Sequence, residues 1–459
     1  MQKEHVNVFE SYVNKVKDVY AAQGLIVGIF DKSDVLYEYT VGYRDVEQEL
    51  PIDRDTIFGI ASITKSFTVI GILQLVEKGL IDLDAPISQY YENWALEKER
   101  TPTVRQLMSH GAGFFPQERF LMKDFASDLG IDNVANLATS DELAEAGIAS
   151  IIKRLNQAEF FNGPPGKRFS YSNFSFGILT DLVRKFSTYT SYAEAVEEDV
   201  LRPMGMANSF FDFARTGKEE NISTLYTSKA LGVETTMDYT DLGFVLLGGG
   251  ALKSTFNDLM VYTRMFLNDG LVDGNQVLSK KSIEAMAKER ISYKEHQGYG
   301  YGLVVGDLES IRYAGHSGGL TGVSSFFGYS KDSGKGVVVL CNTGGVPATS
   351  IGIAALRLAH DQYPSYKVGL YPEGLWSKAT IENTLGRYES EEGDKAEIQA
   401  CGDGVKIIID GKELTCRVVN DELMIIENKM EENYCRILRR GSGKAFGIYL
   451  GSRIIPRIN

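Results

Sequence analysis

Residues 62–78 carry Phe67, Val69, Ile70, Ile72, Leu73, Leu75 and Val76, and on a helix these fall on nearly every side. A helix with no face for water belongs at the centre of a protein, so the rest of the chain has to wrap around it. The turn-rich stretch 51–56 leads into it. Earlier still, the apolar runs 25–30 and 35–41 are separated by Asp31-Lys32-Ser33-Asp34, which predicts a β-hairpin. Helical spacing returns at 103–109, 174–186, 192–200, 256–268 and 281–287, and strand patterns at 311–314, 324–329 and 336–341. Strands on both sides of a long helical middle predict a mixed α/β (α+β) domain built on an antiparallel sheet. Residues 115–150 read as an inserted helical segment, more acidic than basic, with the makings of a lid.

The texture changes after residue 362. Residues 363–374, rich in Pro, Gly and Tyr, predict a linker. Beyond it lie short alternating runs at 405–409, 416–419, 423–426 and 446–450, separated by turn pairs such as Asp410-Gly411 and Asn420-Asp421. That pattern predicts a small all-β barrel or sandwich. The expected organisation is a domain over 1–362, a linker over 363–374 and a β domain over 375–459. Lys and Arg number 48 against 61 Asp and Glu, a formal net charge of −13. An acidic surface repels phosphate backbones, which argues against nucleic acid and anionic membranes as partners. Cys341, Cys401, Cys416 and Cys435 form no Cys-x-x-Cys pair, so free thiols in a reduced compartment are expected. Residues 1–22 read as an amphipathic surface helix and not a signal peptide. With no apolar run long enough to cross a bilayer, the expectation is a cytoplasmic protein without a membrane span.

Three groups of residues carry chemistry. In Ser62-Ile63-Thr64-Lys65, three residues is nearly one helical turn, so hydroxyl and amine share a face. Serine is a weak nucleophile until a neighbour takes its proton, and a desolvated lysine can be that neighbour. Otherwise the two are a capping serine and a snorkelling lysine, but an apolar helix makes an idle lysine costly. In Tyr171-Ser172-Asn173, delivered by the Gly163-Pro164-Pro165-Gly166 turn, the first and third side chains point the same way. The tyrosine is a proton relay or a core aromatic; the asparagine is an amide-binding group or a helix cap. In His316-Ser317-Gly318-Gly319, the glycines let a ligand approach the strand at 311–314, unless the segment is only a turn. His316 is a candidate for proton transfer or for holding a substrate carboxylate. No two histidines have metalloprotease spacing, and neither a Gly-x-Ser-x-Gly elbow nor a phosphate-binding loop occurs, so no metal or other cofactor is expected.

Ser-x-x-Lys, then Tyr-x-Asn about a hundred residues on, then His-x-Gly, resembles the serine β-lactamase and penicillin-binding-protein superfamily. The likeness is to its class C-like branch of D,D-peptidases, D-aminopeptidases and esterases, and covers residues 8–362. Supporting stretches are Thr103 to Gly113, Pro203-Met204-Gly205-Met206 and Gly249 to Thr255. The resemblance implies an antiparallel sheet flanked by helices with an all-helical region. It implies Ser62 as the acylated nucleophile and Lys65 and Tyr171 sharing acid and base work. Asn173 would orient Lys65 and bind the substrate amide, His316 and Gly318 would line the substrate strand, and the N–H groups of Ser62 and Gly319 would form the oxyanion hole. The substrate implied is a small molecule or short peptide, with homo-oligomerisation left open. His316 stands where β-lactamases have lysine, which favours peptidase or esterase activity over antibiotic hydrolysis, leaving weak β-lactamase activity as an alternative. The deacylating glutamate of class A enzymes has no counterpart motif. A non-catalytic penicillin-binding or sensor protein on the same scaffold is the other alternative. The C-terminal module resembles the lipocalin-like β domains appended to some of these peptidases.

Overall fold

The computed structural model describes residues 1–116, 141–157, 161–229, 232–235, 239, 243–294, 296–367, 371–441 and 443–458. Most of the segment read as an inserted lid lies outside the described residues; its last part is the helix Asp141–Leu155.

A nine-stranded antiparallel sheet organises the larger part of the chain. In spatial order its strands are Ile291–Lys294, Gln297–Tyr299, Val304–Leu308, Ile311–Leu320, Val323–Ser330, Lys335–Cys341, Gly24–Phe30, Val35–Asp45 and Leu50–Pro51. Gly24–Phe30 is buried along its whole length between Lys335–Cys341 and Val35–Asp45. Both faces of that strand are covered, which is why it reads as an unbroken apolar run. On one side lie the helices Lys3–Tyr20 and Ala348–Ala359, with Phe9, Val13, Val27, Val337, Ile351 and Leu358 in their shared core. On the other lies the helical region, where Phe67, Ile70, Leu73, Leu179 and Phe327 form part of the largest core.

The all-apolar helix sits in that second layer, as its composition requires. It opens as a 3₁₀ turn, Ala61–Ile63, and continues as the α-helix Thr64–Glu77. Nearly every residue from Thr64 to Leu75 is buried. Phe67 stacks on Tyr262 at 3.9 Å between ring centroids.

The strand expected over 311–314 runs on to Leu320. Its neighbour Val323–Ser330 supplies partners for all of it from Ala314 onward, so a segment rich in glycine is held extended by pairing that the sequence does not display. Pairing with Val304–Leu308 stops at Gly315. Residues 316–320 therefore pair along one edge only.

The C-terminal sheet has eight strands, each paired with the next, from Gly386–Glu389 to Arg453–Pro456. A bridge between Tyr388 and Arg457, and the Ile458 N–H bonded to the Arg387 carbonyl at 2.9 Å, bring the first and last strands together into a nearly closed barrel. Ile398, Ile407, Met424, Ile426, Cys435 and Ile448 fill the inside, as eight strands leave room for little else. Asp410 and Gly411 both take positive φ, 49° and 80°, the requirement of a tight hairpin turn. The expectation of an all-β module missed the short helix Lys378–Thr384, capped by Ser377, whose hydroxyl accepts from the Thr380 N–H at 3.0 Å. Among the described residues, no helix is long and apolar enough to cross a membrane.

Candidate active site

Ser62 is half-buried where the 3₁₀ turn meets the helix. Ala61, just before it, has φ 47°, a left-handed conformation that a residue with a Cβ adopts only when its surroundings impose it. The surroundings are visible. The Ala61 carbonyl accepts from the Thr64 hydroxyl at 2.7 Å, the Leu252 N–H donates to that hydroxyl at 3.2 Å, and the Ile60 N–H donates to the Leu252 carbonyl at 3.1 Å. Lys65 is fully buried. Its Nζ lies 3.1 Å from Ser62 Oγ and donates to the Gly249 carbonyl at 2.6 Å. It also lies 4.9 Å from the centroid of the Tyr171 ring. The structure thus brings serine, lysine and tyrosine to one place, the lysine held by a carbonyl from the separate segment Gly249 to Leu252.

Tyr171 follows a chain reversal in which Gly163 and Gly166 have φ 153° and 82°. Ser172 is the cap of the helix Asn173–Phe186, its hydroxyl accepting from the Ser175 N–H at 3.2 Å. Asn173 is consequently free of the capping task considered for it. Its side-chain amide donates to Glu392 at 3.1 Å.

His110 was not singled out from the sequence as a site residue, yet it packs against Tyr171 with ring centroids 4.1 Å apart. Its Nδ1 accepts from the Ser172 N–H at 3.1 Å. Burial, and then the Lys65 cation, hold its pKa well below the usual imidazole range. The stretch Thr103 to Gly113 contains it, but its role shows only in its place beside the Tyr-x-Asn triplet.

On the facing strand, His316 Nδ1 lies 2.6 Å from the Ser317 carbonyl, which can only accept. The ring proton is thereby assigned to Nδ1, and Nε2 accepts from the Tyr299 hydroxyl at 2.8 Å. Burial and the Lys65 cation push its pKa down to about 3. A neutral imidazole cannot hold a carboxylate by charge.

Gly318 marks where strand and nucleophile turn touch. A Cβ there would stand 2.1 Å from the Ile60 carbonyl and 2.3 Å from Ser325 Oγ, so any side chain would force the two apart. At Gly319 a Cβ would meet nothing within 4 Å. This strand therefore presents one closed position and one open position beside Ser62.

The remaining wall comes from the barrel and had no signal in the sequence. The Tyr171 N–H donates to the Ser452 carbonyl at 3.1 Å. The Arg453 guanidinium lies 4.8 Å from the Tyr171 ring centroid, on an ion pair with Glu392, whose side chain is 1% exposed. Next to Glu392, Glu391 pairs with Arg154 at 2.8 Å. Phe169, Tyr171 and Tyr299 share an apolar cluster with Tyr449 and Ile454 of the barrel. A cavity of about 220 Å³ opens among Tyr171, Tyr299, His316, Ser317 and Ser452. Among the described residues no cluster of His, Cys, Asp and Glu could hold a metal ion.

Against known proteins, the family model described as Beta-lactamase matches residues 9–361. Protein Rv1367c of Mycobacterium tuberculosis is 27% identical over 347 residues, covering 68% of this chain and 82% of its own. A D-aminopeptidase of Brucella anthropi is 22% identical over 394 residues, covering 84% of this chain and 68% of its own. Among solved structures, the octameric penicillin-binding protein homologue from Pyrococcus abyssi superposes with a TM-score of 0.67 at 26% identity, over 98% of this chain and 99% of that one. The fold, the Ser62–Lys65 pair and a family match spanning most of the sequence lead to one conclusion: the chain belongs to the beta-lactamase family.

Proposed function

We propose that the protein is a serine hydrolase that cleaves the amide or ester bond of a small D-amino-acid peptide or ester through an acyl-enzyme on Ser62. The observation that carries the reading is a fully buried lysine whose amine lies 3.1 Å from the Ser62 hydroxyl. At rest Lys65 is an ammonium that donates to the Gly249 carbonyl and to the Ser62 hydroxyl. Ser62 Oγ attacks the carbonyl carbon while its proton passes to the Lys65 amine, which at the same time gives one of its own to the Tyr171 phenolate. The N–H groups of Ser62 and Gly319 receive the oxyanion, the proton goes on to the departing amine or alcohol, and water then displaces the acyl group by the reverse path. Asn173, His316 and Gly318 line the substrate. A neutral His316 favours substrates without an anionic group at that position, hence peptide or ester over lactam.

The same reading takes 1–362 as the hydrolase domain, 363–374 as a linker and 375–459 as the β domain. Homo-oligomerisation belongs to it too, in keeping with the octameric homologue, and light scattering on the purified chain tests it. The test of the chemistry is covalent labelling. A fluorophosphonate or labelled penicillin should add one mass to the peptide holding Ser62, and Ser62→Ala should take up none. Labelling that persists in Ser62→Ala, or a wild-type chain that is never labelled, overturns the proposal.

A further inference from the structure

Tyr171 lies between two cations supplied by elements far apart in the chain. Lys65 Nζ is 4.9 Å and the Arg453 guanidinium 4.8 Å from its ring centroid. The two histidines beside the ring carry no positive charge at neutral pH. His110 is pushed well below its usual range by burial, and His316 falls to about 3. Tyr299 is a phenol bonded to His316. Lys294 lines the same cavity; burial lowers its pKa to about 8, so it too is charged at neutral pH, but Lys65 and Arg453 are the cations in contact with the Tyr171 ring. Glu392 is a carboxylate of the cluster, bonded to Arg453 and Asn173, and Asp394 adds its charge at Arg453.

This arrangement is expensive to build. A glutamate removed from water and an arginine left only 21% exposed lose more hydration than an ordinary ion pair returns, unless further hydrogen bonds complete them. Here the completion comes from the cleft: Asn173 donates to Glu392, and the barrel's own Ser452 accepts from Arg453 at 3.1 Å. The adjoining Ser452 carbonyl takes the Tyr171 N–H. The turn that carries Arg453 is thus registered to Tyr171 by backbone and to Asn173 through Glu392.

We propose that the barrel completes the active site, with Arg453 a positioning residue whose guanidinium stabilises negative charge on Tyr171 while the Ser62 proton is being drawn off, and with Glu392 fixing Arg453 and Asn173 together. The proposal rests on the acyl-enzyme reading and deepens it. No bond is made or broken at Arg453. It acts on how readily the phenol gives up its proton, which a cation at this distance from a buried ring favours.

The experiment is the pH profile of Ser62 acylation by a p-nitrophenyl ester, measured on the full chain alongside its thermal melt. In Arg453→Gln the acidic limb moves up by about one pH unit, and the rate below that limb falls about tenfold. Arg453→Lys, which keeps the charge, returns most of the limb. The double variant Glu392→Gln/Arg453→Gln leaves no lone buried charge and keeps the shifted limb, so it carries the test if Arg453→Gln does not fold. A limb unmoved in a folded, labelled variant overturns the proposal. So does an Arg453→Gln that is faster than wild type at every pH, because the pair would then be a plug. A wild-type chain never acylated on Ser62 removes the underlying reading, an outcome distinct from both.

Discussion

The two walls of the cleft are built on different physics. The Ser62 wall is one helix in the deepest core, its spacing set by helical geometry, the backbone leading into it tied to Leu252 and its Lys65 amine tied to the Gly249 carbonyl. The barrel wall is a set of turns docked from outside, held by Glu392 on Asn173, Ser452 on Tyr171, Glu391 on Arg154 and a small apolar cluster around Tyr449. The first cannot shift without unpacking the core. The second depends on a few polar contacts whose strength varies with charge state and salt. A nucleophile is thus placed by packing, while its surroundings are placed by recognition between two parts of one chain.

This contrast can be broken or sharpened experimentally. The largest effect belongs to the packed wall. Lys65→Met should lower the rate of Ser62 acylation by about 10²–10⁴-fold, the usual range for losing a general base. Its thermal melt should hold or rise, because a buried charge is replaced by an apolar chain of similar length. Loss of folding in place of loss of rate would mean that the amine is there for structure.

Acid comes next. His110 and His316 are neutral in the folded protein because burial lowers their pKa values, whereas the unfolded chain binds protons at its histidines near the ordinary 6.5. The unfolded state therefore holds more protons as pH falls from 6.5 toward 3, and stability falls with it. His316 contributes roughly 1.4 kcal/mol per pH unit inside that window and nothing above it, and His110 acts in the same direction. Denaturant melts at a series of pH values should show this slope, and His316→Gln should be shallower by one such increment. An unchanged slope would show that His316 is already charged.

Smaller again is the contact between strand and turn. Gly318→Ala should cost about 1–3 kcal/mol, since a Cβ would stand 2.1 Å from the Ile60 carbonyl, and it should slow acylation by displacing the turn. Gly319→Ala meets open space and should leave the melt almost unchanged. Equal melts for the two would deny the close approach. The smallest effect should be at the rim of the docked wall: Arg154→Ala removes a half-exposed pair with Glu391 and should cost under about 1 kcal/mol by the same melts.

Residues placed by local geometry were legible in the sequence. The Ser62–Lys65 spacing needs only helical periodicity, and the buried setting of Lys65 follows from Phe67, Ile70 and Leu73 around it. The barrel was legible for a similar reason, as turns such as Asp410-Gly411 separate short alternating runs. What was hidden depends on pairing or docking at long range. Residues 316–320 are extended because Val323–Ser330 lies beside them, not because their own side chains favour it. His110 is set by its packing on Tyr171, and Glu392 and Arg453 lie in turns that resemble any other polar turn until the barrel is placed against the cleft. The role of Asn173 changes accordingly: Ser172 caps the helix, so the asparagine amide is left to reach across to the barrel.

The bond between the Tyr171 N–H and the Ser452 carbonyl ties the middle of the chain to its far end. During translation, Ser62 and Lys65 leave the ribosome hundreds of residues before Ser452 and Arg453. A nascent chain can bury its nucleophile helix early, yet the wall beside Tyr171 waits for the last strands of the barrel. Synthesis itself thus sets the order in which the site is assembled, and a half-made enzyme carries its serine in an unfinished cleft.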